Sequence, residues 1–201
     1  MKPIIIGLAK GYLLKESLDF FRKFGIEVDI NNDRQLVFFD KTGLYKFLLL
    51  RPSDVPVYVE HGAVDMGITG MDIIREYNAD IMIIRDLGFG YCRLVVAKSK
   101  DKEEAVFRNG IKVATKFINC TKQFFSEIGV KADLIKLYGS VELAGVTGLS
   151  DYVVDLVASG KTLQENNLEE TNIIFESTAH LIVNKVFYSL NTENLNKFFR
   201  G

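Results

Sequence analysis

Short runs of β-branched and other apolar residues alternate with stretches of helical spacing along almost the whole chain. This alternation limits the possible folds more than any other feature. Ile4-Ile5-Ile6-Gly7-Leu8, Val64-Asp65-Met66-Gly67-Ile68 and Ile81 to Ile84 have the length and composition of buried strands. Between them Leu14, Leu18 and Phe21 recur at near-helical spacing, closed by Phe24-Gly25, and Asp72 to Tyr77 reads as a second short helix. Strands are also predicted over Ile26 to Ile30 and Leu36 to Phe39, around the polar turn Asn31-Asn32-Asp33-Arg34, and over Leu44 to Leu50. The last of these ends at Arg51-Pro52-Ser53-Asp54, where Ser53 or Asp54 can cap a helix that carries Pro56 in its first turn. Strands alternating with helices of this length imply mostly parallel pairing and an α/β fold.

The two glycines of Asp86-Leu87-Gly88-Phe89-Gly90 mark a hinge or crossover. Beyond it a second series of strands is predicted at Tyr91 to Ala97, Ile111 to Ala114, Leu134 to Leu137 and Tyr152 to Val157, with a helix over Thr121 to Ile128. A long strand from Ile173 to Ile182 can return to the first series, followed by a helix from Asn191 to Phe199. The expected organisation is therefore two α/β lobes: residues 1–88 with 174–201, and residues 89–173.

Charge narrows the function classes. Lys and Arg number 25 and Asp and Glu 26, a formal net charge of −1, so no overall positive field favours nucleic acid. Any anion site must be a local concentration of donors. No membrane is expected, since the apolar run Phe47-Leu48-Leu49-Leu50 stops at Arg51. Met1 to Ile6 lacks the pattern of a secretory signal, and Cys92 and Cys120 read as core thiols of a reducing compartment, which places the chain in the cytoplasm. His61 and His180 stand in no metal-ligand spacing with them and read as structural; no metal-binding residues are assigned.

The chemistry concentrates in Val153-Val154-Asp155-Leu156-Val157-Ala158-Ser159-Gly160-Lys161-Thr162-Leu163, an apolar strand running through a small, hydroxyl-rich turn into a helix start. Free amides there face outward, Ser159 and Thr162 offer hydroxyls, Gly160 permits close approach and Lys161 adds positive charge, which together suit a phosphate. A Walker A loop requires glycine five positions before Gly160, where this chain has Asp155. A carboxylate repels phosphates but accepts hydrogen bonds from hydroxyls. Asp155 followed by Ser-Gly-Lys-Thr thus suits a sugar phosphate. An ordinary helix cap with Asp155 at a solvent-facing strand end fits the same residues.

The approach to the turn carries more. Glu142, Gly148, Ser150, Val153, Asp155, Leu156, Ser159, Gly160, Thr162 and Leu163 form a series that resembles the signature of the ATP phosphoribosyltransferases. Leu8-Ala9-Lys10-Gly11, Leu50 to Pro56, Tyr58 to Gly70, Cys92-Arg93-Leu94 and Val113-Ala114-Thr115-Lys116-Phe117 look like further segments of that family. Tyr12 stands where the family usually has Arg.

The resemblance implies a two-lobed fold of the periplasmic-binding-protein-like (type II) kind with its site in the cleft between lobes. It also implies transfer of the 5-phosphoribosyl group of phosphoribosyl pyrophosphate to N1 of ATP, opening histidine biosynthesis. Glu142, Asp155, Ala158, Ser159, Gly160, Lys161 and Thr162 would then hold phosphoribosyl pyrophosphate. Arg51 and Arg34 would serve catalysis at the pyrophosphate or triphosphate, and Lys10, Arg93 and Lys116 would bind ATP or phosphate. Mg2+ is expected mainly through substrate phosphates. The chain's length matches short members of the family, which implies a homodimer assembling with a histidyl-tRNA-synthetase-like regulatory subunit. A two-lobed small-anion binding protein without catalysis is the competing reading.

Overall fold

The computed structural model describes residues 2–30, 35–102 and 106–199. The chain runs β1 (Ile4–Ala9), α1 (Leu14–Arg22), β2 (Val37–Phe39), β3 (Tyr45–Leu50), a 3-10 turn at Pro52–Asp54 and α2 (Val55–Glu60). It continues through β4 (Met66–Gly70), α3 (Met71–Tyr77), β5 (Met82–Asp86), β6 (Cys92–Ser99), β7 (Lys112–Thr115) and α4 (Ile118–Glu127). β8 (Asp133–Lys136), α5 (Glu142–Val146), β9 (Tyr152–Val157) and α6 (Lys161–Glu165) follow, then β10 (Leu168–Ser177), β11 (Ala179–Val183) and α7 (Lys185–Phe199).

Two compact units result, Met1–Gly90 with Thr178–Gly201, and Tyr91–Ser177. Their boundaries lie a few residues beyond the expected 88/89 and 173/174, for a local reason. The predicted strand Ile173 to Ile182 is two strands: β10 pairs antiparallel with β6 out to Ser177, and β11 pairs with β4 and β5 from Ala179. Thr178 breaks the ladder, because its carbonyl accepts the Met71 amide (3.0 Å) and its hydroxyl donates to Asp86 Oδ1 (2.8 Å).

In the first unit the sheet order is β2-β3-β1-β4-β11-β5. β1 lies parallel to both β3 and β4, and it is buried most deeply at Ile6 to Ala9. Its Ile-rich run is apolar throughout rather than alternating because strands covered on both faces have no solvent side. The larger core gathers Phe20, Phe21, Phe47 and Phe198, with Phe24 and Phe198 edge-to-face at 5.0 Å and Phe21 and Phe47 at 5.6 Å. Each such buried ring contributes roughly 1.5–3 kcal/mol. Residues 26–30 carry the strand alternation, and Ile26, Val28 and Ile30 all pack on this core, yet the segment joins no sheet. Inward packing alone satisfies its apolar period. The C-terminal helix begins at Lys185, well before the expected Asn191, where the backbone instead kinks.

Gly7 and Gly67 face each other across β1 and β4, under α2. A Cβ on Gly67 would lie 2.8 Å from Val55 Cγ1 and 2.9 Å from the Gly7 carbonyl oxygen. The second contact is backbone and cannot rotate away. Gly67→Ala is expected to cost about 1–3 kcal/mol of stability, which lowers Tm by several degrees in a thermal scan. An unchanged Tm would mean that α2 can lift off the sheet.

The second unit has the strand order β10-β6-β9-β7-β8, with β7 parallel to β8 and β9 and with β6 antiparallel to β9. Its core includes Val95, Ala97, Ala114, Val153, Val157, Leu163 and Leu168. Among the described residues no helix is long and apolar enough to cross a membrane.

Candidate active site

Side chains alternate faces along β9, so Val153, Asp155 and Val157 share one face, and both valines belong to the core. Asp155 thus interrupts an apolar surface and is only 8% exposed. The β7–β9 register pairs Ala114 with Val153 and Thr115 with Val154. One step further it brings Lys116, just past the end of β7, beside Asp155. Lys116 Nζ lies 3.2 Å from Asp155 Oδ1, which also accepts the Leu156 amide at 2.8 Å. The turn that holds Lys116 is fastened by the Phe117 amide donating to Thr115 Oγ1 (2.8 Å). Burial pushes the Asp155 carboxyl above the usual carboxylate range; Lys116 pulls it back, and the nearby Glu142, in the first turn of α5, adds to the push.

The turn after β9 is exposed at Ala158, Ser159, Lys161 and Thr162. Gly160 sits at φ +79°, a left-handed conformation that glycine adopts without a Cβ penalty. Among the described residues the amides of Ser159, Gly160, Lys161 and Thr162 donate no main-chain hydrogen bond. The hydroxyls of Ser159 and Thr162 and the ammonium of Lys161 likewise have no partner there. α6 is only five residues long, so the donors of the turn itself, rather than a helix dipole, make this an anion cradle.

Arg93 stands opposite Val157 in the β6–β9 register, beside the start of the same turn. Its Nη2 contacts both oxygens of Glu170, at 2.7 and 3.0 Å. The Glu170 carboxylate holds the Arg93 guanidinium above its ordinary pKa, with Tyr91 as a second neighbour. Glu170 lies on β10, where nothing in the sequence singled it out.

In the first unit, β1 and β3 are parallel and end together, with Ala9 opposite Leu50. The Lys10 amide donates to the Leu50 carbonyl at 2.8 Å, which ties Lys10 to the strand end from which Arg51 emerges. Both side chains are exposed and lack an ion-pair partner among the described residues. They occupy the carboxyl ends of parallel strands, where open α/β sheets bind ligands. Tyr12 follows at 61% exposure. Arg34 lies outside the described residues. His180 is buried with Nδ1 3.0 Å from the Thr178 carbonyl, a structural contact, and His61 caps the end of α2. Cys92 and Cys120 are free and buried.

Known proteins resemble this chain over nearly its full length. The family model described as ATP phosphoribosyltransferase matches residues 51–201. An ATP phosphoribosyltransferase of Crocosphaera subtropica is 43% identical over 199 residues, covering 96% of this chain and 93% of the relative. One from Thermoanaerobacter sp. strain X514 is 46% identical over 196 residues, covering 96% and 91%. Among solved structures, the ATP phosphoribosyl transferase (HisG:HisZ) complex from Thermotoga maritima superposes with a TM-score of 0.84 at 31% identity, over 97% of this chain and 94% of that one. An arginine-bound ArgBP mutant from T. maritima, at a TM-score of 0.63 and 15% identity over 99% of this chain and 95% of its own, shares the fold alone, which is of the periplasmic-binding-protein-like type. Similarity that spans both units leads to one assignment: the chain belongs to the ATP phosphoribosyltransferase family.

Proposed function

We propose that the chain transfers the 5-phosphoribosyl group of phosphoribosyl pyrophosphate to N1 of ATP, the first step of histidine biosynthesis, with the sugar phosphate seated at the β9–α6 turn. The observation that carries this reading is an ionisable, buried Asp155 directly before a turn of unclaimed amides. A phosphate and the neighbouring ribose hydroxyls are the ligand groups that use both. The amides of Ser159 to Thr162, with the Ser159 and Thr162 hydroxyls, hold the 5-phosphate, and Ala158 and Gly160 leave it room. Asp155 accepts from the ribose hydroxyls, assisted by Glu142. Among the described residues its contacts with Lys116 and the Leu156 amide both fall on Oδ1, which leaves Oδ2 for the ligand, and Lys116 favours the charged carboxyl.

The lone pair of adenine N1 attacks C1 of the ribose as the C1–O bond to pyrophosphate breaks, and that bond's electrons leave with pyrophosphate. No covalent enzyme intermediate is needed. The chain's task is to fix the sugar and to oppose charge growing on the leaving group. Lys10 and Arg51 supply cations for pyrophosphate or triphosphate.

Mg2+ fits as a companion of the substrate's phosphates. Beside the turn, Asp155 is held by Lys116 and Glu170 by Arg93. Among the described residues no three His, Cys, Asp or Glu side chains converge on one point. When bound, the ion would neutralise pyrophosphate oxygens and would be carried by them. Assembly as a homodimer with a histidyl-tRNA-synthetase-like regulatory subunit is part of the proposal; the HisG:HisZ complex of Thermotoga maritima supports a second kind of subunit.

A binding protein without catalysis is not favoured, because likeness to arginine-bound proteins at 12–15% identity reaches no further than the fold. The test is to mix the protein with ATP, phosphoribosyl pyrophosphate and Mg2+ and to follow ultraviolet absorbance of the adenine adduct. Formation of the adduct is expected. None forming, with or without the regulatory subunit, would overturn the assignment.

A further inference from the structure

The Glu170 carboxylate sits against the turn assigned above to the 5-phosphate. A Cβ built on Gly160 would lie 3.6 Å from Glu170 Oε1, which puts that oxygen within about 6 Å of the Gly160 amide. An acid so close to an anion cradle opposes its ligand unless its charge is engaged elsewhere. It is engaged, by Arg93.

The pairing is incomplete. A guanidinium matched to a carboxylate normally presents two nitrogens to two oxygens. Here Nη2 alone serves both oxygens, at 2.7 and 3.0 Å, and Nε is buried without a hydrogen-bond partner among the described residues. A buried donor left unpaired is costly, so this arrangement is one the guanidinium gains by leaving. Tyr91 flanks the guanidinium while its hydroxyl donates to Glu176 Oε1 at 2.8 Å. The β-bulges of β10 between Glu170 and Asn172, and between Ile173 and Phe175, shift its register on β6, so that Glu176 pairs with Arg93 while Glu170 pairs with Ala97.

We propose that Arg93 and Glu170 form an anion-exchange latch: Glu170 holds Arg93 while the turn is empty, and the arriving 5-phosphate takes Arg93 from Glu170. The carboxylate is a stand-in for the ligand's charge. It keeps the empty cradle from holding stray anions and helps expel product by reclaiming the guanidinium. The proposal rests on the turn being the 5-phosphate site.

Its test is titration of ribose 5-phosphate into the full chain and its variants by calorimetry at low and moderate salt. Glu170→Gln is expected to bind about threefold to tenfold more tightly than the unsubstituted protein, since both competition and repulsion are removed. Arg93→Gln is expected to bind about tenfold or more weakly, with Glu170 left unneutralised beside the phosphate. The double variant should fall between the two, and the gain from Glu170→Gln should shrink with added salt. Weaker binding by Glu170→Gln would overturn the latch and make Glu170 a brace for Arg93; unchanged binding would overturn it also. Thr162→Val separates the two levels. If it weakens binding while Glu170→Gln changes nothing, the latch alone fails. If it leaves binding unchanged, the cradle assignment fails and the latch with it. Circular dichroism of each variant confirms the fold.

Discussion

Asp155→Asn should reduce kcat/KM by about two orders of magnitude and leave the protein as stable as before, or more so. The loss follows from replacing a charged acceptor of ribose hydroxyls by a neutral amide, since hydrogen bonds to charged groups contribute about 1.5–3 kcal/mol each. The stability side follows from burial. Desolvation raises the Asp155 carboxyl above its unfolded value, Lys116 notwithstanding, so the folded chain holds that proton more tightly than the unfolded chain does. Between the ordinary carboxylate range and the raised folded value, stability therefore falls as pH rises, and at neutral pH the buried Asp155 works against folding. Asparagine removes that penalty, and Lys116, partly exposed, can turn to water. The unsubstituted enzyme should also show an acid limb in kcat/KM above the usual carboxylate range, and that limb should be absent from the variant. A variant as active as its parent would remove Asp155 from the site; a variant that unfolds would make its role structural. Steady-state kinetics across pH together with thermal scans read both.

Arg51→Ala should lower kcat by about two to three orders of magnitude at saturating ATP and phosphoribosyl pyrophosphate, the range seen when a donor aimed at developing charge is lost. Arg51 suits that role because no carboxylate competes for it. It leaves the end of β3 exposed, beside Lys10 at the end of the neighbouring parallel strand, and among the described residues it has no ion pair. Its removal should leave Tm unchanged, since its side chain supports no packing. A change confined to KM would make Arg51 a ground-state binding residue, and unchanged kinetics would place it outside the site.

Much of the molecule was legible in the one-dimensional pattern. The βα alternation announced the α/β fold, and Val153 to Leu163 announced a strand, an acid and a turn, because apolar period and turn chemistry are local properties. The expectation of mostly parallel pairing was wrong: among the described residues four strand pairings are parallel and five antiparallel, because β2, β6, β10 and β11 all run against their neighbours. Errors fell where locality fails. Residues 26–30 alternate like a strand but have no ladder to join, since packing against the Phe21 and Phe198 core rewards the same alternation without pairing. The run Ile173 to Ile182 reads as one strand, yet Met71 claims the Thr178 carbonyl and splits it. No spacing rule foretells such a long-range donor.

At the site the division is the same. Residue identities alone determined that an acid precedes an open, hydroxyl-bearing turn and that Lys10 and Arg51 follow apolar strands. Which charge neighbours which was decided only on folding. The parallel register of β7 and β9 sets Lys116 against Asp155, although 39 positions separate them in the chain. The antiparallel, bulged pairing of β6 with β10 sets Glu170 between Arg93 and Gly160. Electrostatic partnership depends on distance in space, and in a sheet that distance is fixed by strand order and register rather than by separation along the chain.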